Sequence, residues 1–191
     1  MITIRRARPT DALPIGAVHV AAWRSAYAGL ISERVLTRLS ATRQAAMYEA
    51  AIRRGTGVFV VTASGRDLPP QHPPWPGGSR VVGFTTADRA GPGALAEGEI
   101  ETLYLLEDWR ERGLGRLLLA AAASHLAGLG CRSVFLWVLR DNPSRWFYQH
   151  LGGRPVAEGT ARVGDQRLAQ IAFVWDPIDR LLASASRSGA S

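Results

Sequence analysis

Apolar residues recur along this chain with two different periods, and the switches between them divide it into elements. Residues 2–8 read as a short strand, broken by Pro9-Thr10-Asp11, with Asp11 a helix cap. From Ala12 to Ala28, Ile15, Val18, Ala22, Trp23 and Ala26 fall at helical spacing, and Gly29 is a stop. Residues 32–54 predict one or two further helices, with Ser32 and Ser40 as caps. Strands follow at 58–63 and 80–87. Between them, 66–79 is too rich in Pro and Gly for a helix or a central strand, and reads as an exposed loop inserted in a hairpin. Residues 99–106 are a strand. Residues 114–128 form a strong helix, with Leu114, Leu117, Leu118, Ala121 and His125 on one face. Residues 133–139 are apolar on both faces, which suits a central buried strand. Asn142-Pro143 starts a helix that runs to Leu151. Strands near 154–162 and 167–175 are joined by the turn Val163-Gly164-Asp165-Gln166. The order β, helices, β, β, β, α, β, α, β, β predicts a mixed α/β sheet with a strand–helix–strand crossover in its middle. One domain over 1–178 is expected, with a flexible, small and polar tail over 179–191.

Composition narrows the class. With 191 residues, 47% hydrophobic and 20% charged, the chain has globular make-up and enough length for one substantial core. No apolar run approaches the roughly 18 residues that span a bilayer, and the first residues lack a signal-peptide core. The expectation is a cytoplasmic protein without a membrane partner. The single cysteine, Cys131, excludes an intrachain disulfide, and the scattered His19, His72, His125 and His150 show no metal-ligand spacing. The net charge of +7 rests on 23 arginines; the sequence contains no lysine. It admits three readings: a solvated surface, attraction of an anionic cofactor, or nucleic-acid binding. The arginines form no dense block and no interleaved aromatic stripe, which argues against nucleic acid.

The stretch from Leu103 to Arg116 carries the chemistry. A strand ends, a short loop follows, and Gly113-x-Gly115 opens a helix. Glycines let backbone approach a bound group, and free N–H groups of a first helical turn favour an anion. Arg110, Arg112 and Arg116 add positive charge, so the site suits a pyrophosphate. A dinucleotide fingerprint lacks its third glycine here, and the Gly-Lys-Ser/Thr of a nucleotide-hydrolysing loop is absent.

Arg110-x-x-Gly113-x-Gly115 resembles the (Gln/Arg)-x-x-Gly-x-(Gly/Ala) signature of the GCN5-related N-acetyltransferase (GNAT) superfamily. Leu103-Tyr104-Leu105 is similar to the strand before it, although the proline usual two places later is Glu107 here. Leu136-Trp137-Val138, then Asn142, then Arg145-Trp146-Phe147-Tyr148-x-x-Leu151-Gly152-Gly153 resembles the later family pattern. It departs from that pattern at Trp146, where alanine is usual there or next to it, and at Gly153, where phenylalanine is usual. Trp23-Arg24-x-x-Tyr27-x-Gly29-Leu30 is similar to one bacterial subgroup. The resemblance spans roughly residues 2 to 175. It implies a mostly antiparallel six- to seven-stranded sheet, flanked by helices, with a central parallel pair of strands that splay. The splayed strands would be 99–106 and 133–139, with the pantetheine arm of acetyl-coenzyme A between them. Leu103, Tyr104 and Leu105 would line that arm, with backbone groups of Leu103 and Leu105 bonding it. Amides of Glu111, Arg112, Gly113, Leu114, Gly115 and Arg116, helped by Arg110, would hold the pyrophosphate, and Asn142 would face the cofactor.

The resemblance implies transfer of an acetyl group to an amine, by direct attack in a ternary complex. An amine is protonated at neutral pH, and a carboxylate near the acceptor can take its proton. Glu99 and Glu101 lie two apart on a strand and so share a face; either can be the base, with Glu99 at the family position. Tyr148 matches the tyrosine that protonates the leaving sulfur. Trp23 and Tyr27, four apart on the first helix, would wall the acceptor site. A non-catalytic acyl-CoA-binding regulatory module on the same fold is the rival reading. The acceptor can be a small molecule or a peptide, no metal is expected, and a homodimer is common in the resembled family.

Overall fold

The structure, a computed structural model, describes residues 1–64, 67 and 78–186. A seven-stranded sheet runs in the order β1-β2-β3-β4-β5-β7-β6. Its strands are β1 (Thr3–Arg6), β2 (Gly57–Ala63), β3 (Arg80–Arg89), β4 (Gly98–Leu105), β5 (Val134–Leu139), β6 (Arg154–Val163) and β7 (Gln166–Trp175). Every neighbouring pair is antiparallel except β4 and β5. The crossover between those two is the helix α4 (Leu114–Gly128), as a parallel connection requires. The expected Pro-rich loop at 66–79 joins β2 to β3, and all of it but Asp67, Gly78 and Ser79 lies outside the described residues.

Helices cover both faces. On one, α1 (Ala12–Ala26) and α3 (Ala41–Arg53) bury Ile15, Val18 and Tyr48 against Val58, Val60, Val81 and Phe84 of the sheet. The interval expected to hold one or two helices holds two, α3 and the short α2 (Glu33–Thr37); Ser40 accepts the Arg43 N–H and so caps α3. Arg5 grips the buried Asp11 carboxylate with both nitrogens, at 2.7 and 2.8 Å, which pins β1 to the start of α1. On the other face lies α4, whose buried stripe is Leu114, Leu118, Leu119, Ala122, Ala123 and Leu126. That stripe corrects the expected face, since Leu117 is 46% exposed. Apolar residues surround this helix almost completely, so spacing alone could not set its rotation.

The far edge of the sheet reaches back over the α1–α2 connection. Gln166 Oε1 accepts the Ser32 N–H at 2.7 Å, and Gly164, at the β6–β7 turn, sits so close to Val35 that a Cβ there would lie 2.6 Å from Val35 Cγ2. Val163 and Leu168 of the hairpin pack with Tyr27, Ile31 and Leu36.

The tail expected from residue 179 begins instead as a helix, α6 (Asp179–Ser186), with Leu181 and Ala185 buried; residues 187–191 lie outside the described residues. Ile178, Leu181, Leu182 and Ala185 recur at helical spacing and close the core beneath Trp175. The small and polar composition of 184–191 hid that stripe. Leu181→Ala should therefore lower the unfolding free energy by about 2–5 kcal/mol in urea denaturation. A mobile tail would leave the midpoint where it was.

Candidate active site

Strands β4 and β5 are hydrogen-bonded partners only at their feet. Gly98 pairs with Val134 and Glu99 with Phe135, and the ladder ends there although β4 runs on to Leu105 and β5 to Leu139. On its other side β4 stays paired to β3 up to Gly83 opposite Leu105, and the Leu106 N–H reaches Val82 O at 2.9 Å. Alternation along an antiparallel ladder then turns the Tyr104 backbone toward β3 and leaves the Leu103 and Leu105 amides facing the gap. Tyr104 therefore differs from its two neighbours. Its ring packs on the α1 side with Phe84, at 5.6 Å, while Leu103 and Leu105 pack on the α4 side.

Beyond β4 a single 3-10 turn (Glu107–Trp109), anchored by the buried Trp109, leads to the start of α4. Glu111 and Gly113 both take left-handed backbone angles, with φ of 59° and 75°. Such a turn gathers successive N–H groups on its concave side. Leu117 N–H to Gly113 O is the first helical bond, so the amides of Leu114 and Gly115 have no acceptor within the helix. The arginines divide. Arg112 stacks over Trp109 at 4.9 Å and donates to Asp67 O at 3.1 Å, which fixes the turn, whereas Arg110 exerts its charge on Tyr27.

Three segments send side chains to the mouth of the gap: the end of α1, β4, and residues 142–148. Tyr27, at the end of α1, meets Trp23 edge-on at 5.0 Å. Asn142 caps the start of α5 (Ser144–His150) by accepting the Ser144 N–H at 2.9 Å, and its side chain lies against Tyr27. Tyr148, on α5, packs in the α4-side core, yet it senses the charge of Tyr27, and Tyr104 senses the charge of Tyr148. Three phenols from both faces thus converge where the sheet opens. Burial raises the pKa of each, Tyr104 and Tyr148 most strongly. At Tyr27, Asn142, Tyr104 and the Arg110 charge pull the other way.

The two carboxylates are not equivalent. A bulge between the Ala87–Ile100 and Thr86–Thr102 pairs makes Glu101 the extra residue of β4. Glu101 is exposed and takes a long hydrogen bond from Thr86 Oγ1 at 3.4 Å. Glu99 is half-buried, and burial, joined by the charge of Glu101, pushes its carboxyl above the usual range.

His19 and Tyr48, which no motif marks, complete this wall. His19 Nδ1 and the Tyr48 hydroxyl lie 2.7 Å apart, and the imidazole stacks on Trp23 at 5.3 Å. The one signal in the sequence is that His19 and Trp23 are four apart on a helix. The Trp23 indole N–H is buried without a hydrogen-bond partner among the described residues. A cavity of 660 Å³ opens beside the α1–α2 connection, between Arg24, Glu33 and Gln166; none of the phenols at the gap lines it. Among the described residues, no helix is long and apolar enough to cross a membrane, and no group of three or more His, Cys, Asp or Glu side chains could hold a metal ion.

A parallel pair that parts above a helix start is the arrangement that the resemblance to the GNAT acetyltransferases implied. Residues 38–153 match the Acetyltransferase (GNAT) family, and the chain belongs to it. It is 30% identical over 187 residues, 98% of its own length and 100% of the other, to Bacillus subtilis (strain 168) YuaI, described as an uncharacterized N-acetyltransferase. Two solved structures share the fold. A GCN5-related N-acetyltransferase from Rhodopseudomonas palustris has a TM-score of 0.67 and 21% identity, over 91% of this chain and 94% of that one. The PaiA N-acetyltransferase from Thermoplasma acidophilum, in complex with coenzyme A, has a TM-score of 0.62 and 16% identity, over 90% and 98%.

Burial holds the pKa of His19 down to about 4, against an ordinary 6.5. The unfolded chain therefore binds the extra proton first as pH falls, and stability present above pH 6.5 drains away toward pH 4. The loss should reach roughly 2–3 kcal/mol at pH 4, read from urea midpoints across the window. His19→Asn should flatten that dependence.

Proposed function

We propose that this protein is an N-acetyltransferase that uses acetyl-coenzyme A and passes the acetyl group directly to an amine. The observation that carries this reading is the early end of the β4–β5 ladder, in a strand that leads to a helix start where the Leu114 and Gly115 amides have no acceptor within the helix. Those parts fit the cofactor. The amides of Leu114 and Gly115 suit a pyrophosphate, and the bare edge of β4 at Leu103 and Leu105 suits the amides of a pantetheine arm. Acetyl-coenzyme A, when bound, supplies an acetyl thioester, an acyl group already activated for transfer.

The chain's own groups do the rest. Glu99 takes the proton of the ammonium, directly or through water. Its raised pKa narrows the mismatch with an amine and makes it a better acceptor of that proton. The Leu105 N–H, pointing into the gap, polarises the acyl carbonyl. Tyr148, kept protonated by burial, holds a proton for the departing sulfur. Trp23 and Tyr27 form the aromatic side of the acceptor wall, where Glu99 and Glu101 together favour a cationic amine.

Incubation of the protein with acetyl-coenzyme A and a panel of primary amines, followed by mass spectrometry, tests the activity. With an amine that is turned over, Glu99→Gln should lower kcat by about 10²–10⁴ and Tyr148→Phe by at least about tenfold. Cofactor binding without turnover on any amine would favour the regulatory module instead.

A further inference from the structure

Among the Phe, Tyr and Trp residues described, Trp146 alone is exposed. Trp146 is 52% exposed, whereas Trp109 and Trp175 are 2% and 0% exposed. It is held in place nonetheless: the Arg145 guanidinium lies over its ring at 4.5 Å, and its carbonyl is bonded to His150 Nδ1 at 2.6 Å. An indole with a cation on one face and solvent on the other is a stacking surface whose open side suits an electron-rich heterocycle. Arg145 itself pairs with no carboxylate among the described residues.

Position supplies the ligand. The next residue, Phe147, directs its ring at the start of α4: a Cβ built on Gly115 would lie 3.4 Å from Phe147 Cζ. Trp146 is thus one residue along α5 from direct contact with the start of α4 at Gly115. A nucleoside attached to a diphosphate at the Leu114 and Gly115 amides leaves on the solvent side, where Trp146 is the exposed aromatic of α5.

We propose that Trp146 and Arg145 seat the nucleotide end of coenzyme A, the indole stacking on the adenine and the guanidinium pairing with the phosphate on the ribose. This rests on the acetyl-coenzyme A reading above and assigns two side chains that the acyl-transfer chemistry leaves unused. Arg can pair with a phosphate through two parallel N–H bonds while its plane stays stacked on the ring.

Calorimetric binding of coenzyme A, dephospho-coenzyme A and 4′-phosphopantetheine to the whole protein separates the parts. The first carries the ribose phosphate, the second lacks it, and the third lacks the nucleoside. Trp146→Ala should weaken coenzyme A and dephospho-coenzyme A about 5- to 20-fold and leave 4′-phosphopantetheine unchanged. Arg145→Gln should weaken coenzyme A about 5-fold or more and leave dephospho-coenzyme A within about twofold. Unchanged coenzyme A affinity in Trp146→Ala overturns the proposal, and so does an equal loss for all three ligands, which would signal local damage. A wild-type protein that binds none of the three removes the acetyl-coenzyme A reading and this one together.

Discussion

Backbone polar groups in a sheet need partners, and in this protein β4 loses its β5 partner after two residue pairs. Everything at the site follows from that loss. The Leu103 and Leu105 amides are exposed to the gap because β3 holds the opposite edge of the same strand. Side chains from both faces can meet because no ladder closes the space between them, which is how Tyr148 comes within electrostatic reach of Tyr27. The opening is held from outside: α4 packs β4 on one side through Ile100 and Leu103, and β5 stays paired to β7 from Val134 to Leu139.

The site's electrostatics grade from wet to dry. Glu101 stands in water on its bulge, Glu99 is half-withdrawn, and Tyr104 and Tyr148 are enclosed. Proton acceptors therefore sit toward solvent, and groups that keep their protons sit within. That order matches a reaction in which a proton leaves an incoming amine outside and another is needed at the sulfur inside.

Most of the scaffold was legible in the residues. The glycine turn, the strand before it and the alternation of elements led to the sheet, its crossover and the helix start, because each depends on local spacing. What escaped depends on contacts between distant segments. The rotation of α4 is set by which apolar side meets the sheet, and its residues are apolar nearly all round. The bulge at Glu101 is a mismatch between two strands and leaves no mark in either alone. His19 meets Tyr48, 29 positions away, and in the sequence only its spacing of four from Trp23 hints at the contact. The helix from Asp179 was masked by small residues that pack well only against a core already in place. Glu99 was distinguishable from Glu101 only by resemblance; the difference in burial is a property of the fold.

The clasp between Ser32 and Gln166 joins positions 134 apart in the chain, and one of them lies in a hairpin at the outermost edge of the sheet. The α1–α2 connection beside Tyr27 is therefore shaped by two surface segments acting as a unit. Lengthening either alone would pull the clasp apart and loosen the aromatic wall with it. Matched changes in the two segments can thus reshape that wall from the periphery, while the parted strands and the glycine turn stay as they are.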